Sequence, residues 1–131
     1  MSDYKTHYNI IASTILEANK IPGVKLWTNP VGLAWNGQIV NQFVRNGKKY
    51  TLLENARPVK YGLAPGSCDT IGFKTEKISG SIIPRFIGFE IKAGKDTKRP
   101  KQKDFIDMVN KYGGIAGVVR KSEDIFNLLR R

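Results

Sequence analysis

The chain has 131 residues, enough for one domain that buries its own hydrophobic core without staples. Lys and Arg number 22 against 11 Asp and Glu, a formal charge of +11 that calls for a polyanionic partner. With 40% hydrophobic and 10% aromatic residues the composition excludes a basic disordered tail, so the charge sits on a folded surface. Cys68 is the only cysteine and His7 the only histidine. An internal disulfide, a Cys-cluster zinc site and a Ser-His or Cys-His nucleophile system are thereby excluded or disfavoured, and a metal, if used, is expected to take oxygen ligands. No charged leader opens the chain and no apolar run approaches the ~20 residues of a membrane span, so a reducing cytoplasm is the expected compartment.

From Asp3 to Lys20, Ile10, Ile11, Ile15 and Leu16 recur at helical spacing and Ile21-Pro22-Gly23 stops the run, which predicts a first helix. Val24 to Thr28 reads as a short strand, broken by the turn Asn29-Pro30-Val31-Gly32. Gln38 to Val44 and Lys48 to Leu53 flank Arg45-Asn46-Gly47, and Asn-Gly between β-rich runs predicts a hairpin. Turn-rich Tyr61 to Ser67 leads into a strand at Asp69 to Phe73, and Ser79 to Pro84 reads as a loop. Arg85 to Lys92 is the strongest strand, with Arg85, Ile87, Phe89 and Ile91 on one face and Phe86, Gly88, Glu90 and Lys92 on the other. Apolar residues on both faces place it centrally in a sheet. After a basic loop ending at Pro100, Lys101 to Tyr112 reads as a helix stopped by Gly113-Gly114, Ile115 to Val119 as a strand, and Glu123 to Leu129 as a last helix capped by Ser122. The expected fold is a single α/β domain over residues 1–131, one mixed sheet flanked by helices.

The chemistry centres on Asp69, Glu90 and Lys92. Carboxylates at the ends of two neighbouring strands converge on one side of a sheet, as a divalent ion with oxygen ligands requires. The pleat aims Glu90 and Lys92 at the same space, and an ammonium there can reach a scissile phosphate, so metal-assisted phosphodiester hydrolysis is implied. The competing reading of this Glu-x-Lys pattern is an ion pair at a strand end.

Four segments in order, GSCD at Gly66 to Asp69, EIK at Glu90 to Lys92, Gln102 opening the next helix and GGIAGVVRKSED at Gly113 to Asp124, resemble the virus-type replication-repair nuclease (VRR-NUC) domain of the PD-(D/E)XK nuclease superfamily. The resemblance spans most of the chain, from the first helix through the Asn29 to Gly32 turn to Asp124. It implies a restriction-endonuclease-like fold of core order αβββαβ with an inserted hairpin. It also implies an Mg²⁺- or Mn²⁺-dependent, structure-selective endodeoxyribonuclease acting on branched DNA such as Holliday junctions. By the same resemblance Asp69 and Glu90 hold the metal with the Ile91 carbonyl as a third oxygen, Lys92 orients water or stabilises the transition state, and Gln102 supports Lys92 or approaches the phosphate. The family usually carries a glutamate on its first helix, for which Glu17 and Asp3 are the candidates, and a proline where this chain has Cys68. Small stand-alone members pair up, which implies a homodimer in a bacterial or phage-infected cell and leaves a helicase or replication-repair partner open.

Lys95, Lys98, Arg99, Lys101 and Lys103 follow the active-site strand and can grip flanking phosphates with Arg120 and Lys121, or form a solvated loop. Trp27 and Trp35 are expected in core or sheet packing, His7 on the helix surface and Cys68 as a packed small side chain. Two other functions remain open: a non-catalytic basic nucleic-acid-binding module, and a nickase or exonuclease using the same residues.

Overall fold

The computed structural model describes residues 3–131, with side chains from residue 6 onward. Its elements are α1 (Asp3–Asn19), β1 (Val24–Thr28), β2 (Gly32–Arg45), β3 (Lys48–Tyr61), β4 (Thr70–Ile78), β5 (Ser81–Ile91), α2 (Pro100–Lys111), β6 (Ile115–Val119) and α3 (Ser122–Leu129). β1, β4, β5 and β6 form one mixed sheet in that spatial order, antiparallel except for the parallel β5–β6 pair. A parallel pair needs a crossover, and α2 supplies it.

The alternation of β5 places the sheet between two helical layers. Ile87, Phe89 and Ile91 point to one face, where they are buried with Ile115 and Val119 of β6 against Ala18 of α1 and Ile125, Leu128 and Leu129 of α3. On the other face Ile106 and Val109 of α2 close over Cys68 and Ala116. Along α1 the buried stripe differs from the expected one: Leu16 is exposed, while Thr14 and Ala18 are buried. Helix α3 begins at Ser122, so that residue lies in the first turn and not at the cap. Asp124 does the capping, its carboxylate accepting the backbone N–H groups of Arg120 at 2.9 Å and Lys121 at 3.2 Å.

Both outer strands of the sheet are met by an asparagine from a helix. Asn19 accepts the Leu26 N–H at 2.8 Å and donates to the Leu26 carbonyl at 3.2 Å; Asn110 does the same for Ala116, at 2.9 and 3.0 Å. A side-chain amide thus stands where another strand would otherwise pair.

Two expectations are corrected. Ser79 to Pro84 is not a loop: Ser79 and Gly80 both have positive φ (49° and 83°) and make a two-residue hairpin turn joining β4 to β5. Pro84 is tolerated because β6 pairs only with Ile87 to Ile91, which leaves that stretch of β5 at an edge. The Asn46-Gly47 hairpin is also far longer than Gln38 to Leu53: its strands run 14 residues each and form their own two-stranded sheet. Pro58 sits in a strand whose outer side has no partner among the described residues. Trp27 packs on Phe73 at 5.9 Å on the sheet surface, and Trp35 lies on the ribbon; both are more than half exposed.

Candidate active site

The loop before β4 is built around Asn29. Its Nδ2 donates to Ser67 Oγ and to the Cys68 carbonyl, both at 2.8 Å, its Oδ1 accepts the Leu63 N–H at 2.9 Å, and its own N–H binds the Asp69 carbonyl at 2.7 Å. Gly66 is needed twice over: its φ is +82°, and a Cβ there would come within 2.7 Å of Lys101 Cβ and 2.9 Å of the Lys101 carbonyl oxygen. The chain can therefore press against the start of α2 and deliver Asp69 to the end of β5. There Asp69 Oδ2 accepts the Ile91 N–H at 2.8 Å.

Glu90 and Lys92 project from the same side of β5 into a cleft of about 380 Å³, lined by His7, Asp69, Glu90, Lys92, Ala93, Asp96, Arg99 and Gln102. Both are almost wholly buried, which surface charges are not. Gln102 ties them together. Its Nε2 donates to Glu90 Oε1 at 2.7 Å, and its Oε1 accepts Lys92 Nζ at 3.0 Å and the Arg99 N–H at 2.9 Å. Lys92 Nζ also lies 3.6 Å from Glu90 Oε1 and 3.6 Å from Asp96 Oδ2. Of the two roles open to Gln102, the geometry is that of support for Lys92.

Glu90 Oε2 is buried and has no hydrogen-bond partner among the described residues. Burial, followed by the neighbouring Asp69 charge, pushes the Glu90 carboxyl up to about 7, against the opposing pull of Lys92. Cys68, beneath the two carboxylates, is pushed up to about 12 by burial and then by Glu90 and Asp69, so its thiol stays protonated and packs as a small apolar group. An orphaned carboxylate oxygen next to a second carboxylate suits a hard divalent ion. The donor set is spare: among the described residues no three His, Cys, Asp or Glu side chains gather into a cation site. An ion there would rest on Asp69, Glu90, backbone oxygen and water.

His7 is the residue that sequence reasoning missed. It is expected on the helix surface, yet its Nε2 lies 2.8 Å from the Ile91 carbonyl and 3.5 Å from Asp69 Oδ2. As the Nε2–H tautomer it donates to that carbonyl, the oxygen implied as a third metal ligand. A signal was available, because His7, Ile11, Thr14 and Ala18 are spaced four, three and four apart and form the helix's inward stripe.

Of the two first-helix acids, Glu17 does not fill this place. Glu17 lies ten residues further along α1, about 15 Å by helical rise, and pairs with Lys20 at 2.9 Å. Asp3 falls outside the residues whose side chains are described. In the basic segment Lys95, Lys98, Arg99, Lys101 and Lys103 are exposed, and Arg99 borders the cleft. Lys103 is paired with Asp107 at 2.8 Å. Arg120 is engaged elsewhere than in the sequence reading: its guanidinium donates to the carbonyls of Gly94 and Asp96 and so tethers the basic loop to the end of β6.

Among the described residues no helix is long and apolar enough to cross a membrane. The chain matches no family model and no curated protein.

Proposed function

We propose that this chain is a metal-dependent, structure-selective DNA endonuclease of the PD-(D/E)XK kind, and that it acts on branched DNA such as a four-way junction. The observation that carries the reading is the buried, unpartnered Glu90 Oε2, held beside Asp69, Lys92 and Gln102 in one cleft. A solvated ion pair would not be walled in this way, and burying a carboxylate oxygen without a partner is costly unless a ligand uses it. The order α1, β1, β4, β5, α2, β6, with the ribbon set aside, agrees with the αβββαβ core expected of such enzymes.

In this reading Asp69 and Glu90 hold Mg²⁺ or Mn²⁺, which when bound supplies Lewis acidity to the phosphate and lowers the pKa of water. Lys92 places a positive charge where negative charge grows on the phosphate oxygens. Gln102 fixes the Lys92 ammonium and the Glu90 carboxylate relative to each other. His7 pins the Ile91 carbonyl to α1 and keeps the end of β5 in register with Asp69. Arg99 and the exposed lysines of the preceding loop attract flanking phosphates without reading bases. A non-catalytic binding module would explain the charge equally well, but it has no use for two acids facing a phosphate.

Cleavage of a labelled four-way junction and of matched duplex, with Mg²⁺, Mn²⁺ or EDTA, tests the reading. Glu90→Gln and Lys92→Ala are each expected to lose about 10²–10³-fold or more in rate with junction binding kept, and Gln102→Ala about 10–100-fold. Binding without cleavage of any substrate under either metal would leave the non-catalytic module. Cuts on one strand only, or from ends only, would make the enzyme a nickase or an exonuclease.

A further inference from the structure

Beside the cleft runs a second groove that the nuclease reading does not use. It has a volume of about 710 Å³ and shares His7, Asp69, Arg99 and Gln102 with the cleft, so the two are one continuous depression. From there it passes between α1, which supplies Tyr8 and Ile11, and the loops around Asn29, which supply Pro30, Val31 and Pro65. Tyr8 and Ile11 are three residues apart and share a helix face. The loop wall is firmly built. A Cβ at Gly62 would come within 2.5 Å of the Pro30 carbonyl oxygen, so the β3–β4 loop and the β1–β2 turn are pressed together.

The chemistry of these walls narrows what can lie between them. In a chain of formal charge +11, no residue lining the groove beyond the four shared with the cleft is charged. A track for phosphates would carry cations, so the groove takes a neutral part of the polyanion that the cleft holds. Its buried polar side chains, Asn29 and Ser67, are occupied within the loop: Asn29 by Ser67, Cys68 and Leu63, and Ser67 Oγ also by the N–H and carbonyl of Ala64. They leave no donor and acceptor pattern to read a base edge. What remains is apolar surface and the exposed ring of Tyr8, which suits the face of a nucleobase. A base inside a duplex has both faces covered by its neighbours, so only an unpaired one can enter. The volume is that of a small-ligand site, typically about 300–1,000 Å³.

We propose that this groove is a subsite for the unpaired nucleotide next to the phosphate in the cleft, with Tyr8 stacking on its base. Resting on the nuclease reading for a phosphodiester at Asp69 and Glu90, the subsite makes a branch known by the base it frees and not by a sequence. Structure selectivity follows, because a matched duplex can fill the cleft but must break a base pair to fill the groove.

The test uses forked DNA with 2-aminopurine as the first unpaired nucleotide of one strand or the other, beside a matched duplex with the same base paired. Every protein carries Glu90→Gln, so that the DNA stays whole in Mg²⁺, and keeps the native circular dichroism of the helices. On one of the two forks the added Tyr8→Ala is expected to weaken binding by about 5–150-fold and to abolish the stacking quench of 2-aminopurine, with duplex binding unchanged. Tyr8→Phe, which retains the ring, is expected to keep both. Tyr112→Ala, at an exposed tyrosine on the far end of α2, is expected to change neither. Fork binding indifferent to Tyr8→Ala overturns the subsite, as does an equal loss on fork and duplex, or a Tyr8→Phe that fails like Tyr8→Ala. Cleavage by the chain without Glu90→Gln separates the two readings. Metal-dependent cuts with binding indifferent to Tyr8 sink the subsite and leave the nuclease; a Tyr8-dependent quench with no cleavage under either metal keeps the base site and sinks the nuclease.

Discussion

The sheet body and the ribbon are both β-structure from one chain, yet they handle their open edges in opposite ways. In the body, Asn19 and Asn110 occupy the outer backbone groups of β1 and β6 at Leu26 and Ala116, and helices cover both faces. In the ribbon neither edge nor face is covered by another element among the described residues, and two register shifts, between Asn36 and Gln38 and between Ile39 and Asn41, interrupt the ladder. The lesson is that burial and edge protection belong to the layer that carries the cleft. The covered half holds Glu90 and Lys92 out of water, and the projecting half leaves its side chains exposed.

The largest effect that should separate the halves is a cavity. Phe89, fully buried beneath the sheet, is expected to lose about 3–5 kcal/mol as Phe89→Ala. Phe43, half exposed and stacked on Tyr50 at 5.2 Å, is expected to lose about 1 kcal/mol or less of body stability as Phe43→Ala. Urea unfolding followed by helix circular dichroism checks both, and equal losses would show that the ribbon folds as one unit with the body.

A middle-sized effect comes from the cleft and carries a pH sign. The Glu90 carboxyl is raised from 4.5 to about 7 in the folded chain. Between those values the folded chain keeps a proton that the unfolded chain has released, so stability falls as pH rises through this window. Glu90→Gln removes that cost. In EDTA at pH 8 the variant is expected to be more stable than the native chain by about 1–3 kcal/mol, and near pH 4 the two should melt together. The opposite trend would mean that the cleft stabilises a charged Glu90.

The smallest effect tests the edge itself. Asn110→Ala removes two hydrogen bonds to Ala116 and is expected to cost about 1–2 kcal/mol. It should also raise concentration-dependent association through β6, read by light scattering, while Asn41→Ala at an exposed position of the ribbon should change neither.

Most of the body was legible because its signals are local. The alternation of Arg85 to Lys92 and the Gly113-Gly114 stop follow from backbone chemistry, and the convergence of Asp69, Glu90, Lys92 and Gln102 rests on the order of short motifs. Three features were not legible for physical reasons. The ribbon's length was hidden because Pro58 and the register shift at Gly37, where Asn55 and Ala56 of β3 stand opposite one residue of β2, would break a strand in a buried sheet but are tolerated on an edge. Arg120 reads as a free cation until the fold brings the Gly94 and Asp96 carbonyls within its reach. The spacing of His7 with Ile11, Thr14 and Ala18 marks it as inward-facing, but the carbonyl it meets is 84 residues away and is named only by the fold.

Cys68 has a use that follows from its position. Its thiol lies under Glu90 and Asp69, almost without exposure and held in the protonated form. An alkylating reagent needs the thiolate and access together. The folded chain denies it both, so modification must wait for the cleft floor to part from α2. The single sulfur is thus a built-in clock for that opening: the rate at which it is consumed measures how often the cleft carboxylates lose their support, with no residue changed.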